Sequence, residues 1–320
     1  MKRIAVLTSG GDAPGMNAAV RAVVRTAIYN NIDVYGVRRG FKGLIEGDLK
    51  KMNLSSVGDI IHKGGTILRS ARCPEFKENP SCRELAIQLL NVFKIEGLVV
   101  IGGDGSFMGM KSLSDFGFPG IGIPGTIDND LAYTDFTIGF DTAVNTALEA
   151  ITNLRDTTSS HERVTIVEVM GRNCGDIALD AGLAGGAEAI LVPEIGYNLK
   201  EISQKLINSN KRGKKQSIIV VAEGVGNLNE IANQIKELTD MDVRTTILGH
   251  VQRGGNPSAK DRILASEMGY HAVELLMEGK ISRVVGVREN KIIDMNINEA
   301  LAMQNKFNER RFEISKVLSI

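Results

Sequence analysis

The chain has 320 residues, with 38 lysines and arginines against 38 aspartates and glutamates, so its formal charge is zero. At 43% hydrophobic and 24% charged residues, the composition is that of a soluble globular protein, neither disordered nor collagen-like. Neutrality gives no basic surface for nucleic acid or an anionic membrane, and the length allows two domains with a sizeable core. Glycine is in excess, 35 residues or about 11% against a usual ~7%.

The opening residues, MKRIAVLTSGGD, place Lys2 and Arg3 before an apolar run of only Ile4 to Leu7, too short for the apolar core of an export signal. No window approaches about 18 apolar residues, so no membrane-spanning helix is expected. Cys73, Cys82 and Cys174 are odd in number and form no CxxC pair, which fits unpaired thiols in a reducing cytoplasm.

Along the chain, short β-branched runs alternate with turns rich in Gly, Asp or Pro and then with helical periodicity. Ile4 to Thr8 leads through SGGDAPG into a helix over 16–30, and Leu98 to Ile101 leads through GGDGS into a helix near 107–114. A long helix is expected over 141–155. Val164 to Val169 then leads through MGRNCGD into 177–184, and Ser217 to Ala222 through EGVGN into 230–239. This alternation predicts an α/β protein: two doubly wound, Rossmann-like, three-layer αβα domains with mostly parallel sheets and ligands at strand carboxyl ends. The boundaries are weakly signalled. The expected division is 1–138 plus 251–301 for one domain and 139–250 plus 302–320 for the other.

Three of the turns carry chemistry. In Thr8 to Asn17 the glycines Gly10, Gly11 and Gly15 allow backbone N–H groups to approach an anion at a helix N-terminus, although a simple tight turn remains open. The loop matches neither GxGxxG nor GxxxxGK[ST]. In Gly102-Gly103-Asp104-Gly105-Ser106 a carboxylate lies among glycines, where it would repel phosphates unless Mg²⁺ intervenes; a helix N-cap is the other reading of Asp104. In Pro124-Gly125-Thr126-Ile127-Asp128-Asn129-Asp130, two carboxylates at i and i+2 suit one proton acceptor and one organiser of metal or donors. Arg163, Arg172, Arg244, His250 and Arg253, in or beside turns, supply the cations that phosphoryl transfer requires. Each is also readable as a surface side chain.

The motifs TSGGDAPGMN, GGDGS, PGTIDND, TIGFDTA, EVMGR, AEG and LGHVQRGG occur in this order, and from end to end the chain resembles the bacterial ATP-dependent 6-phosphofructokinases. The resemblance implies a cytoplasmic, homotetrameric, allosteric kinase of glycolysis that phosphorylates the 1-hydroxyl of fructose 6-phosphate with MgATP. It places Asp128 as proton acceptor, with Thr126 and Arg172 as further catalytic residues, and Asp104 on Mg²⁺. ATP-binding positions are Gly11, Arg72, Cys73, Gly103, Asp104, Gly105 and Ser106. Substrate positions are Thr126, Ile127, Asp128, Met170, Gly171, Arg172, Glu223, His250, Val251, Gln252 and Arg253, with Arg163 and Arg244 reaching in from a neighbouring subunit. Implied effector positions, for ADP and phosphoenolpyruvate, are Arg21, Arg25, Arg155, Gly186, Glu188, Arg212, Lys214 and Lys215. Leu54-Ser55 stands where the best-known members carry Arg-Tyr, which predicts weaker nucleotide recognition there. Cys73 replaces an aromatic residue seen in some members, which predicts weaker adenine stacking.

Pyrophosphate-dependent relatives carry Asp where this chain has Gly105 and Lys where it has Gly125; the two glycines leave room for the α-phosphate of a nucleotide, which favours ATP. A pyrophosphate-dependent enzyme is the alternative. NAD and lipid kinases also use a GGDG loop, but do not account for PGTIDND with HVQRGG. A sugar-sensing module of similar coarse pattern leaves the loop aspartates unexplained.

Overall fold

The computed structural model describes residues 1–305 and 307–319; positions 306 and 320, within the range expected for the second domain, lie outside the described residues. The described chain divides into two compact units. The first takes in Met1–Ile127, Leu131–Thr142 and Arg253–Asn305; the second takes in Asp128–Asp130, Ala143–Gln252 and the described tail after Asn305.

The first unit is built on β1 (Arg3–Thr8), β2 (Asp33–Val37), β3 (Leu49–Met52), β4 (Leu98–Gly102), β5 (Gly120–Thr126) and β6 (Ile138–Gly139), while the second holds β7 (Val164–Val169), β8 (Ala189–Leu191), β9 (Ser217–Ala222) and β10 (Val243–Ile247). β11 (Arg283–Arg288) and β12 (Lys291–Asn296) return to the first unit. The larger sheet runs β12-β11-β5-β4-β1-β2-β3, with β6 beside β5. Pairing is parallel except at its two edges, β2 with β3 and β11 with β12.

The central strands read as continuous apolar runs because helices cover both faces. Ile4 to Leu7 and Leu98 to Ile101 are all fully buried. Alternate residues Ala5, Leu7, Leu98 and Val100 point into one core with Phe41, Phe107 and Met110. The helices Met16–Tyr29 and Ala259–Met277 pack closely against each other: a Cβ on Gly269 would sit 2.6 Å from that of Ala22.

The smaller sheet is wholly parallel, in the order β10-β7-β9-β8. Val164, Ile166, Ile219 and Val221 share a core with Leu206, Ile231 and Ile235 from the helices Leu199–Lys211 and Leu228–Thr239. On the opposite face, the helix Asp176–Ala184 brings Gly182 against Ile190 and Val220. The expected α/β class and mostly parallel pairing are therefore what the chain adopts.

Two helices depart from the sequence reading by three residues or more, the others by one or two. The helix expected near 107–114 begins at Asp104, with Gly103 as N-cap, so that Asp104, Gly105 and Ser106 form its first turn. The helix expected over 141–155 spans Phe140–His161. Its last turns, Asp-Thr-Thr-Ser-Ser-His, have poor helix propensity. They are held from outside, because the buried Thr158 hydroxyl bonds that of Thr165 on β7 at 2.7 Å. Among the described residues, no helix is long and apolar enough to cross a membrane.

Candidate active site

In the larger sheet the chain leaves β1 toward β2 on one side and, after β3, resumes on the other side at β4. The carboxyl ends of β1 and β4 thus flank a switch point, the place where open α/β sheets gather ligands. Two of the three loops singled out from sequence lie there. The Ser9 N–H donates to Ile101 O at 2.9 Å, and a Cβ on Gly102 would run into the Ser106 side chain and lie 2.6 Å from Ser9 O. Glycine is required at Gly15, where φ is 105° and a Cβ would meet Ile138 at 2.6 Å.

Gly11 is exposed on this loop, and a Cβ there would run into the Arg253 guanidinium. Arg253 Nη1 donates to Asp12 O at 3.3 Å, so this arginine lies against the first loop. The segment 63–70 secures the loop from above. Asn17 donates to Lys63 O and Gly64 O and accepts from the Ile67 N–H at 2.8 Å, while Ser70 Oγ donates to Gly10 O at 2.6 Å. The roles of Asn17 and Ser70 went unread in the sequence; Asn17 closes the TSGGDAPGMN motif, but nothing local signals Ser70. Arg72 is exposed, and half-buried Cys73 heads the short helix Pro74–Glu78, packed against the core. Burial pushes the Cys73 thiol above its usual range.

Asp104 is the first helical residue and is exposed; Gly103, not Asp104, is the N-cap. Among the described residues no three His, Cys, Asp or Glu side chains converge on a metal-sized site. A single exposed carboxylate beside glycine N–H groups fits Mg²⁺ that arrives with nucleotide phosphates, and does not fit a protein-caged ion. Thr126 ends β5; its carbonyl accepts from Thr137 Oγ at 2.6 Å, and a Cβ on Gly103 would lie 3.5 Å from its own Cβ.

In the second unit, the turn Asp128–Asp130 sits among the ends of β7 and β9. Asp128 is buried, at 7% exposure. Asn129 takes a left-handed φ of 53°, and its Nδ2 donates to Asp176 Oδ2 at 2.9 Å. Burial raises the Asp176 carboxyl, with the Asn129 hydrogen bond opposing. Arg172 Nη1 lies 3.9 Å from Asp130 Oδ2, and the Arg172 N–H donates to Glu223 Oε1 at 2.7 Å. The turn that aims Arg172 needs φ of 58° there and 137° at Gly171, where a Cβ would run into Cys174 O. The Met170 N–H donates to Gln252 Oε1 at 3.3 Å. Fully buried Gln252 in turn donates to Gly249 O at 3.0 Å, while His250 and Val251 on the same short turn are exposed.

Arg163 and Arg244 are gathered elsewhere. Both pair with Asp242, at 2.6 and 3.3 Å, at the amino ends of β7 and β10. Met170 and Arg172 follow the carboxyl end of β7, roughly 20 Å away along a strand rising ~3.3 Å per residue. One copy of the chain thus does not bring Arg163 and Arg244 to Arg172.

Of the effector positions, Arg21 and Arg25 share a face of the helix Met16–Tyr29; burial and then the neighbouring Arg25 lower the Arg21 pKa. In the second unit, Arg155 Nη2 donates to the carbonyls of Gly185 and Gly186 at 2.6 and 2.9 Å. Glu188, 1% exposed, pairs with Lys214 and accepts from the Ile218 N–H. Arg212 donates to Ser209 Oγ at 3.2 Å, and Lys215 is exposed.

The fold and these loops define a doubly wound α/β protein of the kind that binds phosphorylated ligands at strand ends. The phosphofructokinase family pattern matches residues 3–276, and the chain belongs to that family. It is 63% identical over 320 residues, the whole of both chains, to the "ATP-dependent 6-phosphofructokinase" of Clostridioides difficile (strain 630). A phosphofructokinase structure from Saccharomyces cerevisiae matches with a TM-score of 0.87 and 36% identity, covering 100% of this chain and 48% of the yeast chain. A pyrophosphate-dependent phosphofructokinase from Marinobacter aquaeolei matches with a TM-score of 0.85 and 26% identity, covering 97% of this chain and 86% of its own.

Proposed function

We propose that this chain transfers the γ-phosphoryl group of MgATP to the 1-hydroxyl of D-fructose 6-phosphate, giving ADP and fructose 1,6-bisphosphate. The observation that carries the reading is the Asp128–Asp130 turn: a buried carboxylate, with a guanidinium 3.9 Å from the second carboxylate of the turn. Asp128 accepts the proton of the 1-hydroxyl as its oxygen bonds phosphorus and the bond to the ADP oxygen breaks. Arg172 offsets the charge on the transferring group, and Thr126 orients substrate. Mg²⁺, when bound with ATP, neutralises charge on the donor phosphates, and Asp104 is the residue that would hold it.

ATP is favoured over pyrophosphate because no heavy atom lies within 4 Å of the Cβ position at Gly105, leaving space beside the loop. The full-length relative's name agrees. The fold does not discriminate, since a pyrophosphate-dependent phosphofructokinase structure also resembles it. Residues 1–138 plus 251–301 are assigned to the nucleotide and 139–250 plus 302–320 to the sugar phosphate, although Asp128–Asp130 and Val251–Gln252 cluster with the second unit. The distance between Arg163 and Arg172 supports a 6-phosphate site completed by a neighbouring copy within a homotetramer. The edge strand β10, exposed at Arg244, Thr245 and Ile247, fits such pairing. A cytoplasmic location accords with three cysteines that form no disulfide among the described residues. The effector residues are read as a phosphate site in which Leu54-Ser55 weakens recognition of the ADP base.

A donor panel of ATP, GTP and pyrophosphate with fructose 6-phosphate tests the reading. Turnover with MgATP is expected; ADP formation absent while pyrophosphate supports reaction overturns the donor assignment. The same assay at subsaturating sugar phosphate is expected to respond more to phosphoenolpyruvate than to ADP, and silence toward both removes the effector site.

A further inference from the structure

The proposed proton acceptor sits in a turn whose middle residue is held in an unusual backbone conformation. Asn129 has φ of 53°, and its side chain reaches 47 positions along the chain to Asp176. Asp176 is a firm anchor. It opens the helix Asp176–Ala184, where a carboxylate is favoured by the helix dipole. The Gly175 N–H donates to Glu194 Oε1 at 2.8 Å, and a Cβ on Gly175 would lie 2.5 Å from Val192, so this helix start has one place to sit. One turn on, Asp180 pairs with Arg311 of the helix Glu309–Leu318. Asp128–Asp130 accordingly belongs to the second unit, although the residues on both sides of it belong to the first.

We propose that Asp176 is a positioning residue: by accepting from Asn129 it fixes the Asp128–Asp130 turn to the second unit and so sets the direction of the Asp128 carboxylate. The inference rests on the reading of Asp128 as proton acceptor. Asp176 touches no reacting atom. Its effect on turnover passes through Asn129, so the two side chains act as one unit, and deleting either deletes the same interaction.

Three variants and their double-mutant cycle test this. Asn129→Gly removes the amide while leaving a left-handed backbone freely accessible. Asp176→Ala removes the acceptor, and Asp176→Asn keeps an acceptor oxygen. Each of the first two is expected to lower kcat roughly tenfold, as expected for a misaligned reacting group. The double variant falls by the same roughly tenfold and not by their product. KM for ATP stays within about twofold, Asp176→Asn regains most of the loss, and amide hydrogen exchange of the peptide over 127–131 quickens in both deletions. Losses that multiply, an Asp176→Ala enzyme within about twofold of wild type, or unchanged exchange at 127–131 overturns the proposal. If Asp176→Ala does not fold, Asn129→Gly and Asp176→Asn decide it by the same readouts. If wild-type protein fails to phosphorylate fructose 6-phosphate from ATP, the proposed function fails, while exchange at 127–131 still decides the Asn129–Asp176 link.

Discussion

In the proposed function the first unit would meet phosphate with its backbone, and the second with side chains. At the ends of β1 and β4 the proposed phosphate contacts are the backbone of Gly10, Gly11, Gly103 and Gly105, with the carboxylates of Asp12 and Asp104 in the same two loops. After β7, β9 and β10 the proposed groups are Arg172, Glu223, His250 and the Asp128–Asp130 turn; a left-handed φ sets Arg172 and Asn129, and the Arg172 N–H donates to Glu223. Backbone donors carry no titratable proton and survive substitution of neighbouring side chains; they are disturbed mainly by adding atoms. Side-chain groups are lost by truncation or protonation. On the proposed function, this division would let the common part of nucleotides be bound by shape and the sugar be discriminated by chemistry.

The comparison is most sharply tested at Asp128. Asp128→Asn keeps the shape of the turn and removes the acceptor, so kcat is expected to fall by roughly 10²-fold or more. Calorimetric binding of fructose 6-phosphate should stay within about threefold. A near-native kcat would make the Asp128–Asp130 turn architectural and leave the second unit without a base.

The matching change in the first unit adds an atom. A Cβ on Gly11 would run into the Arg253 guanidinium, the movable end of a long side chain. Gly11→Ala is therefore expected to raise KM for ATP about threefold to tenfold with kcat little changed, measured by steady-state kinetics. Because Arg253 is itself a proposed substrate residue, the double variant is compared with Arg253→Ala alone; a KM for ATP raised by the same factor in that background shows that the loop is obstructed by something other than that contact.

The same division explains what could be read without coordinates. The strands over 164–169 and 217–222 have the expected bounds because a buried parallel strand is an unbroken apolar run. The glycine loops were legible because backbone approach to an anion leaves a residue-type signature. The side-chain arrangement was not. That Asn129 finds Asp176, and that Ser70 holds Gly10, depend on contacts 47 and 60 residues apart, with no periodic signal between them. The last turns of the helix Phe140–His161 were missed for the same reason, since Thr165, which secures them, belongs to the next strand. Whether Arg163 and Arg244 stand near Arg172 is decided by which end of the paired strands β7 and β10 each occupies, a property of the folded sheet.

A smaller effect follows from crowding carboxylates in the second unit. Glu168 lies within β7, paired with Ile247 and Val221, and burial, then the Glu223 carboxylate, raises its pKa. A raised carboxyl pKa means that the folded state binds the proton more tightly than the unfolded chain. Folding then loses stability as pH rises through that pKa, and no cost remains below the unfolded value. Glu168→Gln removes the charge and keeps the shape, so Tm should rise by about 1–2 °C at pH 7.5, a modest shift because solvent screens a partly exposed group. The gain should fade toward zero near pH 4.5. A gain of equal size at both pH values would assign it to packing. Fading with acid would show that the side chains arranged around Glu223 cost folding free energy, a cost that the uncharged glycine backbone of the first unit does not carry.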